Sequence, residues 1–205
     1  MRTHPFRARL QKELWIQARK DGFVGSGTTL RRIAAPIIHV VNIEGSKENM
    51  CYLNLGAHLC FLPSEGGTVI DPGNVLEYHC AFRKRIEPPA GPAFGWAYLD
   101  DSREAAESIA FVLAEWNRVG CRFFAAHGNY PDSFRRLLDG ANVETAHPIE
   151  LLTFARIAVH LNHLESARKF ASIGLARTPE RATGLIRSLR LIVEHMEAVQ
   201  PAPGE

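Results

Sequence analysis

The sequence lacks most of the features that identify a protein's class at first inspection. No apolar run approaches the ~18 residues of a membrane span, and no apolar stretch follows the charges of the first ten residues, so neither a membrane helix nor a signal peptide is expected. No Cys-x-x-Cys pair occurs. The few cysteines all lie in apolar contexts, which is typical of buried thiols in a reduced, cytoplasmic protein: Cys51, Cys60, Cys80 and Cys121.

An excess of one charge is also missing. The 24 Lys and Arg residues face 22 Asp and Glu residues, and the resulting net charge of +2 is too small to predict a nucleic-acid partner. Lysine is scarce among the basic residues, with 5 Lys against 19 Arg. Arginine suits bidentate pairing with carboxylates or phosphates, but a bias in composition explains this excess more simply.

Hydrophobic periodicity divides the 205 residues into three regions. Apolar side chains at helical spacing predict a helix over Pro5 to Lys20. Four stretches with strand character follow, separated by turn-rich pieces: Thr28 to Arg32, Pro36 to Ile43, Met50 to Leu62 and Val75 to Ile86. After Trp96 the pattern is helical. The sequence therefore predicts an α+β fold with an N-terminal helix, an antiparallel β-sheet meander and then a C-terminal run of helices.

The helical part has start and stop signals of its own. Asp101 and Glu104 form a capping box ahead of a helix that Gly120 is expected to end. Later helices are predicted to begin at four points: after Pro131, at Pro148, at Glu165 and after Thr178-Pro179-Glu180. We expect an α+β domain with the antiparallel sheet over residues 1–145 and a helical subdomain packed on it over residues 146–205.

The third and fourth predicted strands each have one apolar and one polar face. In the third strand the odd positions from Cys51 to Phe61 are apolar, and in the fourth Tyr78 belongs to the apolar face. The polar positions of the two strands are Tyr52, Asn54, His58, Glu77, His79, Arg83 and Arg85. Such alternation predicts antiparallel strands whose polar face is solvated or turned toward a partner. On a solvated face, His58→Ala is expected to change the free energy of unfolding by no more than about 0.5 kcal/mol.

The familiar catalytic and ligand motifs are missing. Gly25-Ser-Gly27 has neither the Gly-Lys-Ser/Thr of a phosphate loop nor the frame of a nucleophile elbow, and is interpreted as a turn. His58, His79 and Glu77 share one predicted sheet face, where a metal or acid–base site is geometrically possible. A small metal-dependent or acid–base enzyme that uses these three residues is the alternative hypothesis. The preferred interpretation includes no catalytic residue, no metal and no cofactor.

Short motifs within the first two thirds of the chain resemble one known family. They are Val41-Asn-Ile, Tyr52-Leu-Asn-Leu-Gly, Cys80-Ala-Phe-Arg-Lys-Arg-Ile and Gly95-Trp-Ala-Tyr, together with a helix that ends near Gly22-Phe23. Over residues 5–140 the chain is similar to the family named domain of unknown function 4304. The resemblance implies no established enzymatic activity and transfers no catalytic residue. Members of this family resemble small α+β cytosolic proteins found among bacterial toxin-immunity genes.

The combined expectation is a non-catalytic, cytoplasmic protein-binding module, and specifically an immunity protein that neutralises a toxin by covering its active site. The expected contact residues are those of the polar sheet face, with Trp96 as an aromatic anchor if it is exposed: Tyr52, Asn54, His58, His79, Arg83, Arg85 and Trp96. A second surface that suits a basic partner is the acidic helix start with Asp100, Asp101 and Glu104. Neither nucleic acid nor a membrane is an expected partner, and the oligomeric state stays open.

Overall fold

In a computed structural model that describes residues 4–63, 67–89, 95–100 and 102–199, the first helix, α1, spans Pro5–Lys20, as its apolar spacing predicts. A proline at the first helical position needs no amide partner there. The helix buries one stripe of its surface: Phe6, Leu10, Leu14, Trp15 and Ala18. Because these residues recur every three to four positions, they place one face of α1 against the sheet.

Within the described residues six strands form a single antiparallel sheet, which confirms the predicted α+β fold. They are β1 (Val24–Ser26), β2 (Thr29–Ala34), β3 (Ile37–Gly45), β4 (Met50–Leu59), β5 (Phe82–Ile86) and β6 (Trp96–Ala97). The order is β1-β2-β3-β4-β5, and β6 also pairs with β4. From β1 to β5 each strand pairs with the next along the chain, so the predicted meander is correct for these five strands. In the β3–β4 register, Val41 lies opposite Leu55 and Asn42 opposite Asn54, which separates the apolar and polar faces.

The helices after the sheet follow the predicted order. They are α2 (Ser102–Glu115), α3 (Cys121–Ala126), α4 (Asp132–Asp139), α5 (Pro148–His160), α6 (Leu164–Arg177) and α7 (Thr183–Val199). None of the helices in the described residues is long and apolar enough to cross a membrane. Gly140 follows the end of α4, as predicted. Asp101, half of the predicted capping box, lies outside the described residues.

The predicted helix stop at Gly120 is wrong. The chain continues from α2 through a π-helical turn, Trp116–Gly120, directly into α3. Gly120 has right-handed helical angles, with φ of −64°. A Cβ atom at this position would lie 3.2 Å from Cε3 of Trp116. The glycine therefore packs closely on a buried indole and does not provide a left-handed exit.

The fully buried side chains of the first unit form a core between one sheet face and the helices α1, α2 and α3. The sheet contributes the apolar alternation predicted for β4, including Leu53 and Leu55, and the helices contribute Ile109, Trp116 and Phe124. A smaller cluster lies on the opposite face: Ile38, Val40, Val75 and Cys80. Both sides of the sheet are therefore covered over part of their area.

The chain divides into two compact units, Met1–Gly128 and Asn129–Glu205. The division lies ahead of the boundary at residue 145 suggested by the sequence, because α4 packs with α5 in the second unit. Within that unit, α6 contacts both α5 and α7. Gly174 lets the helices approach closely, since a Cβ there would lie 3.0 Å from Cδ2 of Leu189.

Candidate functional site

The polar face of the sheet has two ends with different surroundings. We call the first the covered end: here Gly56 and His58 of β4 lie beneath a covering segment, residues 67–81. Val75 and Cys80 of this segment pack on Ile38 and Val40. The second is the open patch, formed by Tyr52, Asn54, Arg83 and Arg85, together with Glu77 at its border. The sequence predicted one polar face that is solvated or turned toward a partner, and the structure shows that part of this face is covered by the chain itself.

The covering segment replaces the first half of a predicted strand. Val75 to Ile86 was expected to be extended throughout, but only Phe82–Ile86 forms a strand and Glu77–His79 is a short 3₁₀ helix. Asp71 starts the approach to this helix with a turn in which its carboxylate accepts from the backbone N–H of Gly73 at 3.0 Å. The alternation of polar and apolar residues in this stretch does not reflect a strand, because a 3₁₀ helix has a period of three residues and not two.

His58 is a buried structural residue, which overturns its expected place on a solvated face. Only 2% of the residue is exposed. Its Nε2 donates to the carbonyl of Leu62 at 3.0 Å, and its Nδ1 accepts from the backbone N–H of Ala81 at 3.1 Å. These partners require the neutral ring with the proton on Nε2. Burial lowers the pKa of His58, in keeping with that neutral form.

His79 and Glu77 are also held within the covering segment. The ring of His79 accepts from the backbone N–H of Leu76 at 3.1 Å through Nδ1 and contacts the Tyr78 ring edge-on. Glu77 is buried, and its Oε1 accepts from Nε of Arg83 at 2.5 Å. Because these residues belong to a 3₁₀ helix, the predicted strand geometry that would converge His58, His79 and Glu77 is absent.

The open patch is built around Arg85. Its Nε donates to Oδ1 of Asn54 at 2.9 Å, and its guanidinium carbon lies 4.5 Å from the centre of the Tyr52 ring. Tyr52 is itself held by Gly95, where a Cβ would lie 2.5 Å from the tyrosine ring. A hydrogen bond on one edge and a ring on one face fix the position of the cation.

A shallow depression of about 200 Å³ extends the open patch toward the edge strand β5. Its polar lining consists of Asn54, Glu77, Arg83, Lys84, Arg85 and Glu87. Arg83 and Arg85 share the polar face of β5, whereas Lys84 lies opposite Leu55 in the register and its side chain belongs to the other face. Glu77 is already paired with Arg83, so Arg85 is the cation that this face offers to an acidic group.

Trp96 is part of the core and not an exposed anchor. It is 4% exposed, its Nε1 donates to the carbonyl of Ile86 at 3.0 Å, and its ring contacts Phe111. Asp100 is exposed and lies 3.3 Å from Nε2 of His4, whereas Glu104 stands in the first turn of α2. The structure does not bring these acidic residues into the open patch.

Tyr78 is the surface aromatic that sequence reasoning assigned to the wrong face. It was expected to be on an apolar strand face, but it is 59% exposed on the 3₁₀ helix. It directly follows Glu77, the ion-pair partner of Arg83. Gly56, in the middle of β4, was the available signal, because glycine inside a strand often marks the close approach of another backbone. A Cβ at Gly56 would lie 2.6 Å from Sγ of Cys80.

Within the ranges that the structure covers, no group of three His, Cys, Asp or Glu side chains is placed to hold a metal ion. All four cysteines are free thiols. Burial raises the pKa of Cys51 and that of Cys80 to about 12, so neither is a thiolate at neutral pH.

The fold and the site together define an α+β protein with helices on one sheet face and a cationic, partly covered second face. The chain belongs to the family described as Domain of unknown function (DUF4304), whose model matches residues 17–126. The match ends close to Gly128, the last residue of the first compact unit. No curated protein and no solved structure shows significant similarity to the chain.

Proposed function

We propose that the protein is a non-catalytic protein-binding module whose contact surface is the open patch together with Tyr78. The observation that carries this proposal is the fixed position of Arg85, held by Asn54 on one edge and by Tyr52 on one face. Arginine and tyrosine dominate the few residues that supply most of the binding energy in protein interfaces. A cation that is already ordered loses little side-chain entropy on binding.

The partner in this proposal has an acidic contact surface. Arg83 and Arg85 lie on the polar face of the edge strand β5, and Arg83 is exposed, whereas Lys84 between them belongs to the other face. Carboxylates of a partner would meet the depression beside Arg85, while the exposed Tyr78 supplies an apolar surface next to it. Complementary charge of this kind determines the choice of partner and the association rate more than the affinity.

The specific form of the proposal is an immunity protein that acts in the cytoplasm and covers the active site of a toxin. Its support is the resemblance to proteins found among toxin-immunity genes, together with the ordered, charged surface around Arg85. Neutralisation by covering requires a standard interface of roughly 1,600 Å² in total. A toxin that acts on an anionic substrate would be basic around its active site. The acidic residues of the toxin that contact the open patch would then lie at the rim of that active site.

The test is binding to the product of the gene adjacent to the one that encodes this chain. Arg85→Glu is expected to weaken the complex by about tenfold or more, which is the loss typical of a central interface arginine. Tyr78→Ala is expected to weaken it in the same direction. Arg122→Glu makes the same charge change at an exposed position on α3 and is the matched control.

The outcomes separate the proposal from its alternatives. Loss of binding and loss of protection from toxicity in Arg85→Glu, with both retained in Arg122→Glu, support the open patch. Wild-type binding by Arg85→Glu overturns the surface assignment. Absence of any complex, with no relief of toxicity, overturns the immunity function.

A further inference from the structure

A cleft of about 400 Å³ lies on the helix-packed side of the sheet, where the β2–β3 hairpin faces α3. Its apolar walls come from Phe23, Ala34, Ile37 and Phe124. This volume falls within the roughly 300–1,000 Å³ range of small-molecule sites in proteins. The cleft is separate from the open patch, because Arg32 and Arg31, consecutive residues in β2, point to opposite faces of the sheet.

Arg32 supplies a fixed cation in this cleft. Its Nη1 donates to the backbone carbonyl of Asp21 at 2.8 Å, and its Nη2 lies 2.9 Å from Nδ1 of His39. Its guanidinium carbon is 4.9 Å from the centre of the Phe23 ring and 5.7 Å from that of Phe124. Arg32 forms no ion pair within the described residues. Its Nε also donates to His39, which leaves two of its five N–H groups for a ligand.

His39 holds Arg32 without adding charge. Its Nε2 donates to the carbonyl of His127 at 3.1 Å, so its Nδ1 is the acceptor for the guanidinium. Burial, and next the charge of Arg32, lower the pKa of His39 to about 4. At neutral pH the ring is uncharged, and the position of Arg32 is set by a chain of hydrogen bonds that ends at His127, the residue directly after α3.

Asp21 limits the charge that the cleft accepts. Its Oδ2 accepts from Nε1 of Trp116 at 2.9 Å, so the carboxylate has a fixed partner of its own. It is near enough to Arg32 to oppose the effect of burial on the pKa of that guanidinium. One cation beside one carboxylate favours a singly charged ligand group over a doubly charged one, because the second negative charge would face Asp21.

We propose that this cleft binds a small molecule that carries one carboxylate on an apolar body, with Arg32 as the residue that anchors the carboxylate. The two remaining N–H groups of Arg32 suit a planar oxyanion. The apolar body packs between Phe23, Phe124 and Ile37. Nothing in this proposal depends on the protein partner, since the cleft and the open patch share no residue.

The experiment is a titration of the isotope-labelled full chain with three probes, followed by the indole N–H signal of Trp116. Phenylacetate is expected to shift this signal saturably, because Trp116 donates to a carboxylate that lines the cleft. Phenylacetamide, which has the same shape without the charge, is expected to bind at least about tenfold more weakly. Phenyl phosphate, with nearly two charges, is expected to bind less tightly than phenylacetate.

Three variants decide the assignment. Arg32→Gln is expected to lose about tenfold or more in phenylacetate affinity. Arg31→Gln, the neighbouring arginine on the opposite face, is the matched control and should retain it. Ala34→Phe fills the cleft from an exposed strand position and leaves Arg32 in place, so it should abolish binding even if Arg32→Gln does not fold.

Several results would overturn the proposal. Equal affinity for phenylacetate and phenylacetamide would remove the role of the cation. Wild-type affinity in Ala34→Phe would place the probe elsewhere. Tighter binding of phenyl phosphate would overturn the choice of a monoanion. If no probe gives a saturable shift up to about 10 mM, the binding free energy is weaker than roughly 3 kcal/mol. That result would overturn the site itself.

Discussion

The two ends of the polar sheet face carry the same kinds of residue and do different things. At the covered end, His58 is 2% exposed, and its two ring nitrogens bond the backbone of Leu62, ahead of the covering segment, and of Ala81, the last residue of that segment. At the open patch, Arg85 rests on Tyr52 and Asn54 with its outer side toward solvent. The difference shows that a polar residue in a strand need not be exposed, because a buried polar side chain can find its hydrogen-bond partners within the protein.

The largest loss of stability is expected for a substitution on the apolar face of the sheet. It is the reference for the smaller effects expected at the two ends of the polar face. Leu55 is fully buried in the core between the sheet and the helices. Leu55→Ala should lower the free energy of unfolding by about 2–5 kcal/mol through lost burial and a cavity. Denaturant unfolding measures this change, and a loss below about 1 kcal/mol would mean that β4 does not form the core strand.

The next prediction is that acidification lowers the free energy of unfolding through the buried histidines, which lie outside the open patch. The pKa of His39 falls from its ordinary value of 6.5 to about 4 on folding. The unfolded chain takes up this proton first, so the free energy of unfolding should fall as the pH drops from about 6.5 to 4, by roughly 3 kcal/mol from His39 alone.

His58 and His127, whose pKa values burial also lowers, add to the loss in the same direction. His58→Gln should therefore flatten the pH profile and Arg85→Ala should leave it unchanged. Stability that rises on acidification through this window would contradict the neutral, buried rings.

His58→Ala directly tests the covered end. It removes the acceptor for the Ala81 N–H and the donor for the Leu62 carbonyl in a buried place, and each group left without a partner costs about 1–3 kcal/mol. We expect a loss of about 2 kcal/mol or more in the free energy of unfolding. This replaces the expectation of about 0.5 kcal/mol that a solvated face implied.

A matched change at His79 is the control for that measurement. His79 accepts one hydrogen bond from Leu76 and is half-buried, so His79→Ala should cost less than His58→Ala. Equal losses in the two variants would show that His58 does not fasten the covering segment.

The smallest effect on stability is expected at the open patch. Arg85→Ala loses one hydrogen bond to Asn54 and the contact with the Tyr52 ring, which together are worth about 0.5–1 kcal/mol at a partly exposed site. Thermal and denaturant unfolding should therefore place Arg85→Ala close to the wild type. A loss of more than about 2 kcal/mol would make Arg85 a structural residue and weaken its assignment to binding.

Most of the fold could be predicted from the sequence because periodicity reports which side of an element meets the core. The stripe of α1 and the odd positions of β4, such as Leu53 and Leu55, both gave the correct buried face. The fold class and the order of the helices followed from these patterns.

The site was less predictable, because a covering segment is a tertiary feature. Alternation gave Tyr52, Asn54 and Arg85 the same face, but it could not show that residues 67–81 fold back over His58. The cleft beside Arg32 could not be predicted from the sequence for a similar reason. Arg31 and Arg32 look alike in sequence, and only the position of α3 makes one of them line a cavity.

Side-chain footprinting by hydroxyl radicals, on the chain alone and with the product of the adjacent gene, shows directly whether the open patch is the binding surface. We expect the partner to protect the exposed Tyr78 and also Tyr52, while Tyr130 in the second unit keeps its reactivity. Protection confined to Tyr130, or unchanged reactivity of Tyr78 in a stable complex, would contradict the assignment of the open patch as the binding surface.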